Sequence, residues 1–228
     1  MFTRHRLAEV AALLGDPGRA GMMTALLDGT ARPAGELARI AGVTPATASM
    51  HLAKLVACGL LRAEPRGRHR YYRLAGAQVA HALESLAILL PPRAAPDAPD
   101  RPVEPLHRAR LCYDHLAGRL GVAVSKALIE RKLLRLHDDA YALPPAGRRW
   151  FERFGIAVAP LEQARRPLLR TCIDWTERRE HLGGALGAAL AADLLERDWL
   201  RRERGKRTLL VTAAGRRGLH RALGLRLE

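Results

Sequence analysis

Two short apolar-patterned segments joined by Ala41-Gly42-Val43, with an arginine-crowded hairpin behind them, constrain this chain more than any other stretch of it. Leu37 and Ile40 lie three apart and share one face of a helix over residues 33–40. Gly42 permits the sharp turn that ends it. Thr44 offers a side-chain oxygen to cap a second helix over residues 44–58, and Pro45 fits its first position, where no backbone N–H is needed. Val43, Leu52 and Leu55 face inward, while Ala46, Thr47, Ser49, Met50 and Lys54 face outward. Strands follow over residues 60–64 and 69–74, with residues 65–68 as the turn and Gly67 supplying its permissive backbone. The pattern is a helix-turn-helix with a wing.

That arrangement makes duplex DNA the expected partner. Small and hydroxylated side chains at Thr44, Ala46, Thr47 and Ser49, with Met50 beside them, allow close approach to the major groove, where hydroxyls bond base edges and alanine meets a thymine methyl. His51 and Lys54 are expected to reach phosphate. Arg66, Arg68, His69 and Arg70 crowd the wing tip, over phosphates or in a minor groove. Tyr71 and Tyr72 read as packing residues. Composition agrees: 38 Lys and Arg oppose 23 Asp and Glu, for a net charge of +15, which suits a polyanion. The varied outward face of the second helix favours a sequence-specific regulator over an architectural protein that coats DNA.

Around this core the periodicity predicts helices over residues 4–14 and 76–90, with a third beginning at Pro17 and capped by Asp16. Residues 91–102 hold five prolines and read as a stiff spacer. The expected domains are therefore a DNA-binding domain over residues 1–90, a linker over 91–103 and a second domain over 104–228. The second domain contains a repeat. The stretch from His115-Leu-Ala-Gly-Arg-Leu-Gly to Leu134 aligns without a gap on that from His181-Leu-Gly-Gly-Ala-Leu-Gly to Leu200. Upstream, Arg110-x-Cys112-x-Asp114 echoes Arg170-x-Cys172-x-Asp174; downstream, Ala146-Gly-Arg-Arg149 echoes Ala214-Gly-Arg-Arg217. A duplicated unit, about residues 110–155 and 170–225, accounts for these matches. Each copy reads as helix–hairpin–helix, with strand pairs over 133–136 with 140–143 and over 199–202 with 208–211. The fold class is mainly α with small β-hairpins.

The repeat carries the remaining candidate chemistry: Cys112, Asp114, His115, Cys172, Asp174 and His181. Thiolate and imidazole suit a thiophilic ion such as Zn(II), and the same set could meet a small inducer. On one helix, Cys112 and His115 share a face, whereas Cys172 and His181, nine apart, fall half a turn out of phase and converge only across a break. A pseudo-two-fold arrangement of the copies would bring two Cys and two His together. Other readings stand beside this one. Asp174-Trp-Thr-Glu177 suits a capping box, cysteine is a common buried residue, and Arg110 and Arg170 would favour redox-active thiolates. An enzyme using the Cys–His pairs is the rival class, but no nucleophile motif, phosphate loop or paired-carboxylate signature supports it. Three cysteines, no apolar run of membrane-spanning length and no leader-like N-terminus point to a cytoplasmic protein without a membrane partner, and the lack of a catalytic signature points away from an enzyme.

Residues 1–90 resemble the ArsR/SmtB family of bacterial winged-helix regulators. The resemblance is carried by Asp16-Pro-x-Arg19, Leu37-Ala-x-x-Ala-Gly-Val-Thr-x-Ala-Thr-x-Ser-x-His51-Leu-x-x-Leu, Gly59-Leu-Leu and Gly67-Arg-x-x-Tyr71-Tyr-Arg-Leu. It implies a homodimer, with the first and fifth helices as interface, that represses transcription until an inducer binds. The family's arsenic-type cysteine pair is missing from residues 33–40, and its zinc-type helix here offers Gln78, His81 and Glu84 without a second His. Any sensing is therefore expected in the duplicated half.

Overall fold

The computed structural model describes residues 4–89 and 104–227, so the expected linker over 91–103 lies outside the described residues. The chain divides into two compact units, Met1–Leu83 and Glu84–Glu228. The division falls inside a helix, not after it.

The first unit runs α1 (Arg4–Leu14), α2 (Pro17–Ala25), β1 (Arg32–Pro33), α3 (Ala34–Ala41), α4 (Pro45–Ala57), β2 (Leu61–Arg66), β3 (His69–Leu74) and the start of α5 (Ala77–Leu89). The three strands form an antiparallel sheet in the order β1-β3-β2. Met22, Met23, Leu26, Leu37, Leu52, Leu55 and Leu61 are buried together beneath it. Gly42 ends α3 with a left-handed φ of 65°, which lets α4 leave at an angle without strain. Asp16 caps α2 by accepting from the Arg19 amide at 2.8 Å. Arg19 in turn donates to the carbonyls of Ala12 and Leu13, which ties the end of α1 to α2.

The second unit begins with the last turns of α5. It continues through α6 (Pro105–Arg108), β4 (Arg110–Cys112), β5 (His115–Ala117), α7 (Gly118–Glu130), β6 (Arg135–His137), β7 (Ala140–Ala142), α8 (Pro145–Phe154) and α9 (Val158–Glu162). The order then recurs as β8 (Arg170–Ile173), β9 (Glu180–Gly183), α10 (Gly184–Glu196), β10 (Leu200–Arg202), β11 (Leu209–Val211) and α11 (Ala213–Leu223). Each half is thus hairpin–helix–hairpin–helix. The helix expected to carry Cys112 and His115 is instead a hairpin, and so is the stretch from Cys172 to His181. The reason is local. β4 and β5 are buried at every position, so they lack the alternation that marks a half-exposed strand. The helix begins only at Gly118 and Gly184, whose φ values of 74° and 80° suit glycine.

The halves interlock: α7 packs on β9, and α10 packs on β5. Within each half, Gly121 and Gly187 let the helix fold closely onto the strand before it. A Cβ there would stand 2.5 Å from the Leu116 carbonyl oxygen and 2.4 Å from that of Leu182. β4 also bonds across to the second half, with the Leu111 amide donating to the Arg207 carbonyl at 3.1 Å. One core results, drawing Leu120, Val124 and Leu128 from α7 together with Leu186, Leu190 and Leu194 from α10.

Candidate functional site

In the first unit, α4 presents the face expected of a recognition helix. Thr44 is its N-cap, with the side chain accepting from the Thr47 amide at 3.2 Å and lying 2.9 Å from the Thr47 hydroxyl. Thr44, Ala46, Ser49, Met50 and Lys54 are exposed and Thr47 is half-buried, while Ala48, Leu52 and Leu55 anchor the other face. The Ser49 hydroxyl donates to the Pro45 carbonyl at 2.9 Å. His51 departs from expectation. Its ring is turned inward, with Nδ1 3.2 Å from Arg19 Nη1 and Nε2 3.5 Å from Asp16 Oδ1. It therefore ties α4 to the start of α2 and is not poised over a phosphate.

The wing is longer than its sequence suggested. β2 and β3 pair from Leu61 with Leu74 to Arg66 with His69, leaving Gly67 and Arg68 as the turn. Pro65 sits inside β2 opposite Arg70. Arg66, Arg68, His69 and Arg70 are all exposed at the tip. Arg66 is partly engaged by Glu64 at 3.1 Å and by the Tyr71 ring at 5.2 Å. Tyr72 is buried against the core, as a packing residue should be.

The second unit brings together four of the six candidate residues in the repeat. Cys112 is the cross-strand partner of His115, and Cys172 is that of His181. Directly opposed residues of a hairpin project from the same face, so spacings of three and nine serve equally well. The six extra residues of the second copy form the loop that Asp174 closes. The two hairpins meet: one ligand atom from each of Cys112, His115, Cys172 and His181 lies within 4.8 Å of the others. The sulfurs are 3.9 Å apart and the imidazoles stack with centroids 5.1 Å apart. Cys112, His115 and His181 are buried and Cys172 is half-buried. Among the described residues, His115 Nε2 and both ring nitrogens of His181 have no hydrogen-bond partner. The hydrogen bond with Cys172, together with burial, pushes the Cys112 thiol up to about 12, while the same bond and Arg170 lower that of Cys172.

Asp114 and Asp174 do not join the four. Asp114 is paired with Arg166 through both guanidinium nitrogens, which holds its carboxyl below the usual range, and it lies 3.5 Å from His115 Nδ1. Asp174 is a buried structural hub. Its Oδ2 accepts from Arg110 Nη2 at 2.9 Å and the Gly118 amide at 2.6 Å. Its Oδ1 accepts from the Thr176 amide and hydroxyl and the Glu177 amide. Burial raises its pKa, but Arg110 and these donors outweigh burial and hold it at about 2. Glu84, near the end of α5, was not legible as part of this site. It is buried, 2.8 Å from Arg207 Nη2 and 3.5 Å from Arg110 Nε, and it accepts from Cys112 Sγ at 3.8 Å. A glutamate on an amphipathic helix carries no sign that it will be buried.

A capped recognition helix with a basic wing defines a winged helix-turn-helix DNA-binding protein. Residues 14–64 match the family described as helix-turn-helix domain. Over 222 residues the chain is 37% identical to the uncharacterized HTH-type transcriptional regulator YdfF of Bacillus subtilis, covering 97% of this chain and 98% of that protein. It is 42% identical over 80 residues to the HTH-type transcriptional regulator CmtR of Mycobacterium bovis, covering 35% of this chain and 67% of that one. A solved structure of the cadmium metal-sensor CMTR from Mycobacterium tuberculosis is 38% identical, covers 41% of this chain and 99% of its own, and superposes with a TM-score of 0.31. The chain belongs to the ArsR/SmtB-like winged helix-turn-helix transcriptional regulators, and it is a DNA-binding transcriptional regulator. Among the described residues, no helix is long and apolar enough to cross a membrane.

Proposed function

We propose that this protein is a homodimeric, cytoplasmic repressor that reads an operator through α4 and the wing and is released when its second unit takes up a signal. The observation that carries the reading is the exposed face Thr44–Lys54 of a capped helix beside four exposed basic residues of the wing. Dimerisation is supported by apolar side chains left in solvent on two helices: Leu7 and Val10 on α1, and Leu86 and Leu89 on α5. The second unit reads as a duplicated domain. The repeated element order and the paired glycines at 118 and 184 and at 121 and 187 support this. Its Cys–His cluster is the natural point of entry for a thiophilic metal such as Zn(II), or for a small inducer.

The test is a gel shift of the full chain on DNA from upstream of its own operon. Arg68→Ala should weaken all sequences alike and lower the salt slope by about one, as loss of a phosphate contact does. Thr47→Ala should instead relax discrimination at one or two base pairs by about 1–3 kcal/mol. Binding that is absent at low salt, or equal for every sequence, would refute the reading.

A further inference from the structure

We propose that Cys112, His115, Cys172 and His181 form one four-coordinate site for a thiophilic divalent cation, with one Cys–His pair from each half of the second unit, and that filling it is reported to α5 through Glu84.

The donor set is Cys2His2, the composition of closed tetrahedral sites for zinc and its heavier congeners. The spacing is close to that required. Metal–sulfur bonds of ~2.3 Å place two tetrahedrally bound sulfurs about 3.8 Å apart, and the sulfurs here stand 3.9 Å apart. The remaining donors lie within 4.8 Å, an inward shift of about 1 Å from ligation, which side-chain rotation supplies. The imidazoles are the independent sign of a ligand. Among the described residues, three buried ring nitrogens have no hydrogen-bond partner, and a buried polar atom left unpaired is unfavourable. A cation would satisfy His115 through Nε2, and Asp114 lies at its other nitrogen as the outer carboxylate that orients a ligating histidine. Arg166 holds that carboxylate in place.

The same geometry gives the site an output. Cys112 Sγ donates to Glu84 Oε2. A cysteine that binds a cation does so as thiolate and releases its proton to solvent. A ligated sulfur has no hydrogen to donate, so sulfur and carboxylate then face each other as two acceptors. Glu84 then turns towards Arg207 and Arg110, its other partners, and the last turns of α5, which bear it, are where the change is felt. This half of the proposal rests on the reading of the second unit as the input of a repressor.

The experiment uses the full-length protein with Co(II) as optical probe and Zn(II) as competitor. One Co(II) per chain should bind, with the d–d bands of a tetrahedral ion and thiolate charge-transfer bands. Cys112→Ser, Cys172→Ser, His115→Asn and His181→Asn should each lose the tetrahedral spectrum. Asp114→Asn, which keeps all four ligands, should bind about 10-fold or more weakly and keep the spectrum. Octahedral Co(II) spectra alone, or unchanged affinity in the cysteine variants, would overturn the site. Zn(II) should alter amide hydrogen exchange in residues 77–89 of the wild type. Glu84→Gln, whose amide can donate to a ligated sulfur, should keep the Co(II) spectrum and lose that response. An α5 indifferent to Zn(II) in the wild type would overturn the coupling. None of these readouts involves DNA, so absence of operator binding would refute the repressor reading without touching the site.

Discussion

Asp174→Ala should be among the most damaging single substitutions in the second unit. The carboxylate is fully buried and its partner Arg110 is 1% exposed. Five donors converge on its two oxygens: Arg110 Nη2, the amides of Gly118, Thr176 and Glu177, and the Thr176 hydroxyl. Alanine strands all five and leaves the buried guanidinium with the Leu106 carbonyl at 3.0 Å and Glu84 at 3.5 Å. Removing one member of a buried ion pair costs about 3–5 kcal/mol, chiefly because the other charge stays behind unpaired. For a unit of this size that lowers Tm by on the order of 10 °C. The chain offers a selective assay, since its three tryptophans, Trp150, Trp175 and Trp199, all lie in the second unit. Urea unfolding followed by tryptophan fluorescence therefore reads that unit without the first. The double variant Arg110→Met/Asp174→Asn should recover part of the loss, because it buries no unpaired charge. A cost below about 1 kcal/mol for Asp174→Ala, or a double variant worse than the single, would refute the hub.

Acid should act through the same carboxyl. Its pKa of about 2 lies below the ordinary carboxylate value of about 4, so its contribution of about 2 kcal/mol is complete above pH ~4 and is lost as pH falls towards 2. Asp174→Asn should abolish that part of the acid dependence of the midpoint. Gly147→Ala and Gly215→Ala, at matching places in α8 and α11, would drive a Cβ to 1.9 Å from the Leu133 oxygen and 2.0 Å from the Trp199 oxygen. Each should cost about 1–3 kcal/mol or more. Gly35→Ala, in α3 with nothing within 4 Å of the new Cβ, should stabilise the first unit by up to about 1 kcal/mol. Leu89, 78% exposed on α5, should tolerate Leu89→Asp without loss of helix content by circular dichroism. The same change should shift the sedimentation profile from dimer towards monomer, and an unchanged dimer would remove α5 from the interface.

The winged helix was legible because its punctuation is local. Asp16, Gly42, Thr44 and Pro45 each act within a few residues, and each does in the structure what its type suggests. His51 misled because its partners, Asp16 and Arg19, belong to another helix. In the second unit the recurring motifs were visible, but the elements they form were misread. Three-residue strands buried on both sides give no alternation, and a run such as His-Leu-Ala-Gly reads equally well as the start of a helix. The clustering of the two Cys–His pairs required only that the two similar stretches face each other. Glu84 was noticed only as part of the polar face of its helix; its burial beside Cys112 could not be anticipated, because it depends on Arg110 and Arg207, which are distant in sequence.

The two similar halves of the second unit differ in what surrounds their Cys–His pairs. Two hairpins each present one sulfur and one imidazole. The arginines preceding the cysteines have diverged in their surroundings. Arg110 is buried between Asp174 and Glu84, whereas Arg170, its counterpart, is exposed. The aspartates have diverged too, since Asp174 organises the interior while Asp114 pairs with the half-exposed Arg166. A ligand at the centre would therefore touch two similar halves, but Cys112 contacts a residue of α5. Symmetry provides the number of donors, and its loss provides a direction in which binding can be felt. The contact that sets the first hairpin apart is that of its thiol with Glu84, which α5 buries.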